Sequence, residues 1–266
     1  MMRKVVSWKT FLILFSLVVL GAWLANTPGG LLGKADAVGY AICHRLPSHS
    51  FFIQGRPVSL CARCTGQYLG LVAGLMYLFL VAKKRAGAPH WAFLVLLGLI
   101  FLAYLADALN SLVHFAHWEA YTLYKPRNDL RLITGVGVGL DISLIVYILF
   151  QRTVWKRFST QSILKGFREW SGFFLSGVLV TAAFLSGRSW ILYPLTLVSA
   201  LGVLILLTLL YGLIWIIFFG MENKARRFRD LVWPLLGGFI TALLQITGMD
   251  LLRYGLTGTW SGFHIG

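Results

Sequence analysis

Seven apolar runs separated by polar or charged segments organise this chain of 266 residues. They are Thr10–Asn26, Gly66–Ala82, Trp91–Leu112, Leu132–Phe150, Ser171–Gly187, Ile191–Gly220 and Leu231–Asp250. An α-helix needs roughly 20 residues to cross a hydrocarbon core, so each run is a candidate span. The first is short, and the sixth is long enough to require tilt or extra length outside the lipid. The pattern predicts an all-α polytopic transmembrane bundle of about seven spans. It divides into an anchor span with the start of a loop (1–39), a cysteine-bearing core holding spans two to four (40–150), and a C-terminal membrane region (151–266). Thr27–Leu60 is the longest polar segment, punctuated by Pro28, Gly29, Gly30, Pro47, Gly55 and Pro57. A short amphipathic helix is expected around Leu32–Cys43. The segment Phe158–Trp170 alternates basic and apolar residues at helical spacing and is expected to lie along the inner headgroup surface.

Composition agrees with a membrane class. Hydrophobic residues are 58% and charged residues 12%, with a mean hydropathy of +0.76; soluble domains carry roughly 25% charge. The net charge of +15 would suit nucleic acid, but the basic residues lie between apolar runs and form no soluble face. They act instead as orientation signals. Fifteen of the 24 lysines and arginines fall in the segments that are cytoplasmic if the N-terminus is inside. The reading is therefore N-terminus in, C-terminus out, in the cell membrane. The first run also has the basic start and short apolar centre of a signal peptide. A cut at Ala25 would place Trp23 where a small residue is needed, which favours an uncleaved anchor. No G-x4-G-K-[ST] run or haem motif is present.

Three cysteines, the only ones in the chain, fall in one polar stretch: Cys43, followed by His44, and Cys61 and Cys64 in Leu60-Cys61-Ala62-Arg63-Cys64-Thr65-Gly66. The C-x2-C spacing with Cys43 and His44 would complete a tetrahedral Cys3His shell, and thiolates suit zinc or cuprous copper. His49, His114 or His117 could replace His44. Rival readings are a disulfide, which would leave one thiol over, thiol redox chemistry with Cys64 just before a helix N-terminus, and unliganded packing.

Polar residues also line the third run. Asp107, Asn110, His114 and His117 are spaced 3, 4 and 3, one stripe of a helix that Tyr104 and Tyr121 extend. A carboxylate at that depth must be paired or face water; equally, the stripe could be a polar seam that glues helices. At the start of the fourth run, Asn128, Arg131, Gly135 and Gly139 share a face. Arg131 could snorkel to headgroups, pair with Asp107, or hold a phosphate or carboxylate in its fork of donors; Asn128 could simply cap the helix. Gly66, Gly70 and Gly74 on the second run, with Gly135 and Gly139, form small-xxx-small faces that predict close approach. Spans two to four then make one unit, with Cys64, Asp107 and Arg131 near one rim. Asp141 lies deeper in the fourth run, off the glycine face.

On these residues the chain resembles the bacterial and archaeal membrane proteins called domain of unknown function 2085. The matching positions are Cys43-His44, Ser50-Phe51, Gly55, the run Leu60–Gly70, Asp107, and Asn128 with Arg131, Thr134 and Gly135. The resemblance spans about residues 40–140 and departs at Ala108, where glycine is usual, and in the segment before Asn128. It brings no established activity. It implies that the three constellations belong together.

The leading functional reading is a membrane protein with an extracytoplasmic metal site, Cys43, His44, Cys61 and Cys64 holding zinc. Asp107, His114 and Arg131 are then the candidate catalytic groups, and Arg63, Asn128 and Arg131 the groups for a lipid or other anionic headgroup. Whether the chain is an enzyme is left open. A closed Cys3His shell would make the metal structural. The alternatives are an ion or lipid transporter or channel using Asp107, Asp141 and Arg131, and a membrane thiol–disulfide oxidoreductase.

Overall fold

The computed structural model describes residues 2–116 and 118–261, with the side chains of residues 2–7 and 119 outside that description. His117 and His264 lie outside the described residues. The long helices are α1 (Met2–Asn26), α3 (Ala62–Val81), α4 (Trp91–Phe115), α5 (Asn128–Val154), α6 (Gly166–Leu185), α7 (Ser189–Phe218) and α8 (Val232–Thr257); a shorter α2 covers Gly30–Ile42. Two small pairings complete the secondary structure. Strands β1 (Phe52–Ile53) and β2 (Arg56–Pro57) form an antiparallel hairpin. Strand β3 (Arg85–Gly87) pairs in parallel with β4 (Ser159–Ser162).

The seven long helices alternate in direction between two rims. Six of them are long and apolar enough to cross a membrane. The fifth in order, α6, has 20 residues, about 30 Å of helix, but its first turns carry Arg168 and Glu169. It nevertheless runs in the same alternation and packs against α3, α5 and α7. At 30 residues, α7 is about 45 Å long, more than the roughly 30 Å a hydrocarbon core needs. Apolar side chains such as Leu14, Leu17 and Val18 on α1, and Leu94, Leu99 and Leu102 on α4, are exposed, as lipid-facing residues must be.

Glycine sets the centre of the fold. Helices α3 and α5 run parallel with their backbones in contact. A methyl group on Gly66 would overlap the Leu132 carbonyl, one on Gly70 the Val136 carbonyl, and ones on Gly135 and Gly139 the carbonyls of Arg63 and Gln67. Each helix thus uses its four-residue glycine repeat as the groove for the other's backbone, and dispersion over that close contact holds them. By contrast, α4 lies at the periphery. Its buried residues are Asp107, Asn110 and Ser111, so its polar stripe fastens it while its apolar surface faces outward. Asp107 and Asn110 of the stripe thus help seat α4 on the bundle.

Two local expectations change. The segment after Phe158 is not a surface helix: Ser159–Ser162 pairs with Arg85–Gly87, and Ile163 and Leu164 are buried, before α6 begins. The backbone offered by β3 outweighs the helical spacing of Phe158–Trp170, and Gly87 permits the approach because any side chain there would collide with Thr160. Helix α3 also starts four residues before the apolar run, at Ala62, so Cys64 lies in its first turn and not ahead of it. The expected short helix at Leu32–Cys43 is α2, wedged against α7 and α8.

A candidate thiolate centre at one rim

The cysteine segments are brought together by helix ends. Cys43 follows the last turn of α2, Cys61 is the N-cap of α3, and Cys64 is two residues into that helix. Gly39 of α2 has no room for a side chain because the Ser59 carbonyl sits against it, which seats the end of α2 on the Ser59–Leu60 segment. The three sulfur atoms lie within 4.8 Å of one another. All three thiols are free; Cys43 and Cys61 are buried and Cys64 is half-buried.

The electrostatics favour one thiolate among two thiols. The Cys61 and Cys64 thiols, the Cys61 backbone amide at 3.3 Å and the Arg45 amide donate toward Cys43 Sγ, and hold its thiol far below the usual range. That amide also belongs to the N-terminus of α3, where negative charge is stabilised. The Cys61 thiol, donating to Cys43 and buried beside its charge, is pushed up to about 12.

His44 is not part of the sulfur group. Its Nδ1 accepts the Leu46 amide at 3.0 Å, and its ring meets His49 edge-on, with centroids 5.3 Å apart. Accepting at Nδ1 places the proton of the neutral ring on Nε2, so as seated His44 offers no free lone pair. Burial lowers the pKa of both rings, that of His49 to about 4, with Arg131 and Arg63 adding to the effect.

Those arginines belong to the second part of the site. Arg63, between Cys61 and Cys64, pairs with Asp107 at 2.5 Å and also donates to the Asp107 carbonyl and to Ser111 Oγ, both at 3.1 Å. Tyr124 donates to the other carboxylate oxygen at 2.6 Å; burial, then that bond, raises its pKa to about 12. Arg131 reaches Ser111 Oγ at 3.4 Å and Asn128 Oδ1 at 2.8 Å, while Asn128 Nδ2 donates to the Ser48 and Ser50 carbonyls. The carboxylate partner anticipated for Arg131 is taken by Arg63 of α3, although α4 packs directly on α5. Arg131 is 5% exposed and makes no ion pair among the described residues. Asn128 ties α5 to the cysteine loop and does not cap its own helix, whose N-cap is Arg127.

His114 lies on α4 as the stripe required, half-buried, with Nδ1 lacking a hydrogen-bond partner. Asn110 holds the α4–α5 connection through the Leu123 amide and the Tyr124 carbonyl. Asp141, further along α5, has both carboxylate oxygens buried without a partner.

Several contributors were not singled out from the sequence. Arg253, in the last turns of α8, donates at 2.6 Å to the carbonyls of Tyr40 and Cys43 and at 3.3 Å to that of His44, and stacks over the Tyr40 ring. Asp250, one turn earlier, accepts from Trp23 Nε1 at 3.3 Å and fastens α1 to α8. Arg45 pairs with Asp36 at 3.1 Å and reaches the Trp260 carbonyl. A charge in the last turns of an apolar helix was the available signal for Arg253; nothing in the spacing of Tyr124 marks it.

The segment 43–145, which carries all three cysteines, Asp107 and Arg131, matches the family described as predicted membrane protein, domain of unknown function 2085. An uncharacterized protein of Methanocaldococcus jannaschii is 32% identical over 123 residues, 46% of this chain and 72% of the relative. Another, from Methanothermobacter thermautotrophicus, is 30% identical over 108 residues, 41% of this chain and 86% of the relative. No solved structure matches the chain.

Proposed function

Because this chain belongs to the family of predicted membrane proteins called domain of unknown function 2085, we propose that the thiol cluster within its matched segment is a metal centre at an extracytoplasmic rim, with zinc as its ion. The observation that carries this reading is the convergence of three free sulfurs within 4.8 Å from the ends of two helices. Thiolate sulfur at short range is the donor set of zinc and cuprous sites. With His44 seated away from the group, the set is Cys43, Cys61 and Cys64, which leaves a tetrahedral ion one open position. That changes the expectation of a closed Cys3His shell, and favours a site that takes an exogenous ligand.

The neighbouring cations supply the second half of the reading. Arg63 sits between Cys61 and Cys64 in the chain, and Arg131 feels the charges of Arg63, Asp107 and Cys61. Their donors suit an anionic lipid headgroup. Asp107 is saturated by Arg63, Tyr124 and Thr134, which fits a positioning residue better than an acid or base. His114, with Nδ1 free, is the better candidate for proton transfer. When bound, zinc would polarise a ligand oxygen or activate water; Arg131 would orient the anion.

Close sulfurs also favour a second reading, a thiol–disulfide oxidoreductase. Alkylation under denaturing conditions separates the two. A metal centre predicts three alkylated cysteines without reductant once a chelator is added. A mass with one alkylated cysteine, rising to three only after reduction, supports the redox reading and overturns the first. Impermeant thiol labelling of intact cells after chelation tests the rim assignment; labelling only after permeabilisation contradicts it.

A further inference from the structure

The rim opposite the cysteines carries a second built site. The three connections there meet and hydrogen-bond to one another: Ser159 N donates to the Lys84 carbonyl at 3.0 Å, Lys156 N to the Ala225 carbonyl at 2.9 Å, and Ala225 N to the Val154 carbonyl at 3.2 Å. They enclose a cavity of about 430 Å3 lined by Lys84, Lys156, Arg157, Ala225 and Arg226. None of the four cations has an ion pair among the described residues. The acids of this rim are engaged elsewhere or lie off the cavity. Glu169 binds Arg85 at 2.8 Å and the Lys165 amide at 2.6 Å, and Asp230 accepts from the Arg226 and Arg227 amides. Glu222 is not among the lining residues.

Lys84 is held in place. Its backbone has φ of +67°, a conformation that costs a non-glycine residue energy, and it is kept by the bond from its amide to Tyr147 Oη at 3.2 Å. Its ammonium sits 3.7 Å from the centroid of the Trp155 ring. Lys84 also borders a second cavity of about 290 Å3, lined by Phe79, Tyr147, Trp155 and Phe228 together with Gln151 and Lys83. Trp155 Nε1 and Gln151 Oε1 are buried there without hydrogen-bond partners, and Phe79 and Phe228 are exposed. A cationic cavity thus adjoins an aromatic one at the end of membrane-length helices, the depth at which headgroups and aromatic rings meet.

We infer that this pair of cavities binds an anionic phospholipid, with its phosphate among Lys84, Lys156, Arg157 and Arg226 and its ester region against the aromatic wall. A phosphate accepts from several cations at once. Phe79 and Phe228 present exposed rings to the ester region. An aromatic wall has no use in a site for free phosphate, which favours the lipid as the source.

The test is thermal unfolding of the full chain in detergent, titrated separately with phosphatidylglycerol, phosphatidylcholine of the same acyl chains, and inorganic phosphate. Phosphatidylglycerol is expected to raise the midpoint, with the other two weak. Removing juxtamembrane cations weakens anionic lipid binding by about fivefold each. The triple variant Lys156→Gln, Arg157→Gln, Arg226→Gln should therefore need on the order of 100-fold more lipid. A triple variant on the same rim but outside the cavity, Lys165→Gln, Arg168→Gln, Arg229→Gln, should stay near wild type. Arg157→Gln alone, at an exposed position that folding tolerates, should weaken binding about fivefold. Equal losses in the two triples would reduce the effect to diffuse charge attraction and overturn the inference. So would an equal response to phosphatidylcholine, or a full shift from inorganic phosphate alone.

Discussion

The two rims use the same side chains in opposite ways. At the cysteine rim, Arg63, Arg131 and Arg253 are drawn into the protein, where they are bound by Asp107, Ser111, Asn128 and the carbonyls of the cysteine loop. At the other rim, Lys156, Arg157 and Arg226 stand exposed around a cavity, and their side chains make no ion pair among the described residues. A buried charge must be bonded on all sides, because the cost of leaving it unpaired in low dielectric is several kcal/mol. An exposed charge costs little and remains available to a ligand. The first rim therefore has a fixed geometry suited to a centre with defined ligands, and the second has the open field suited to a lipid headgroup.

This contrast is sharpest where helix backbones touch. Gly135→Leu would thrust a side chain into the Arg63 carbonyl, and since backbone cannot yield as a side chain does, it should cost about 3 kcal/mol or more. Gly98→Leu, at a lipid-facing position with nothing near it, should change stability by less than about 1 kcal/mol. Thermal unfolding in detergent compares them; similar losses would mean that the seam does not organise the cysteine rim.

Asp107→Asn should be nearly as damaging, about 3 kcal/mol, because it leaves the Arg63 guanidinium without its counter-charge. Adding Arg63→Met should recover part of that loss. If the double variant is no better than the single, the ion pair is not what fastens α4 to α3.

Arg253→Met removes three charge-assisted bonds to the cysteine loop and should cost about 2 kcal/mol. It should also speed alkylation of Cys43, since the loop loses its clamp from α8. An unchanged alkylation rate would detach the C-terminal region from the site. At the other rim, Arg157→Gln should shift stability by no more than about 0.5 kcal/mol in the absence of lipid. A larger loss would mean that the exposed cations are structural after all.

Much of the architecture was legible in the chain because lipid imposes simple rules. Apolar runs gave the long helices, and the repeats at Gly66, Gly70, Gly74, Gly135 and Gly139 gave the α3–α5 contact. The cysteine cluster was legible for a different reason: three thiols confined to one polar segment have few ways to lie far apart. Partner choice was not legible. Arg131 and Arg63 have equal claims on Asp107 when only spacing is known; α4 packs on α5, yet the pair forms with Arg63 of α3, through side-chain reach that spacing does not show. The role of His44 turned on a single backbone amide, that of Leu46, which no side-chain pattern reveals. Arg253 lies more than 200 residues from the carbonyls it binds, beyond the reach of any local motif.

The claim that the cysteine rim is a metal centre is tested most directly by elemental analysis of the purified full chain beside its Cys61→Ser and Cys64→Ser variants. Zinc close to one per chain in the wild type, lost in both variants while thermal unfolding still shows a folded protein, is the predicted result. Background metal in all three proteins would contradict it.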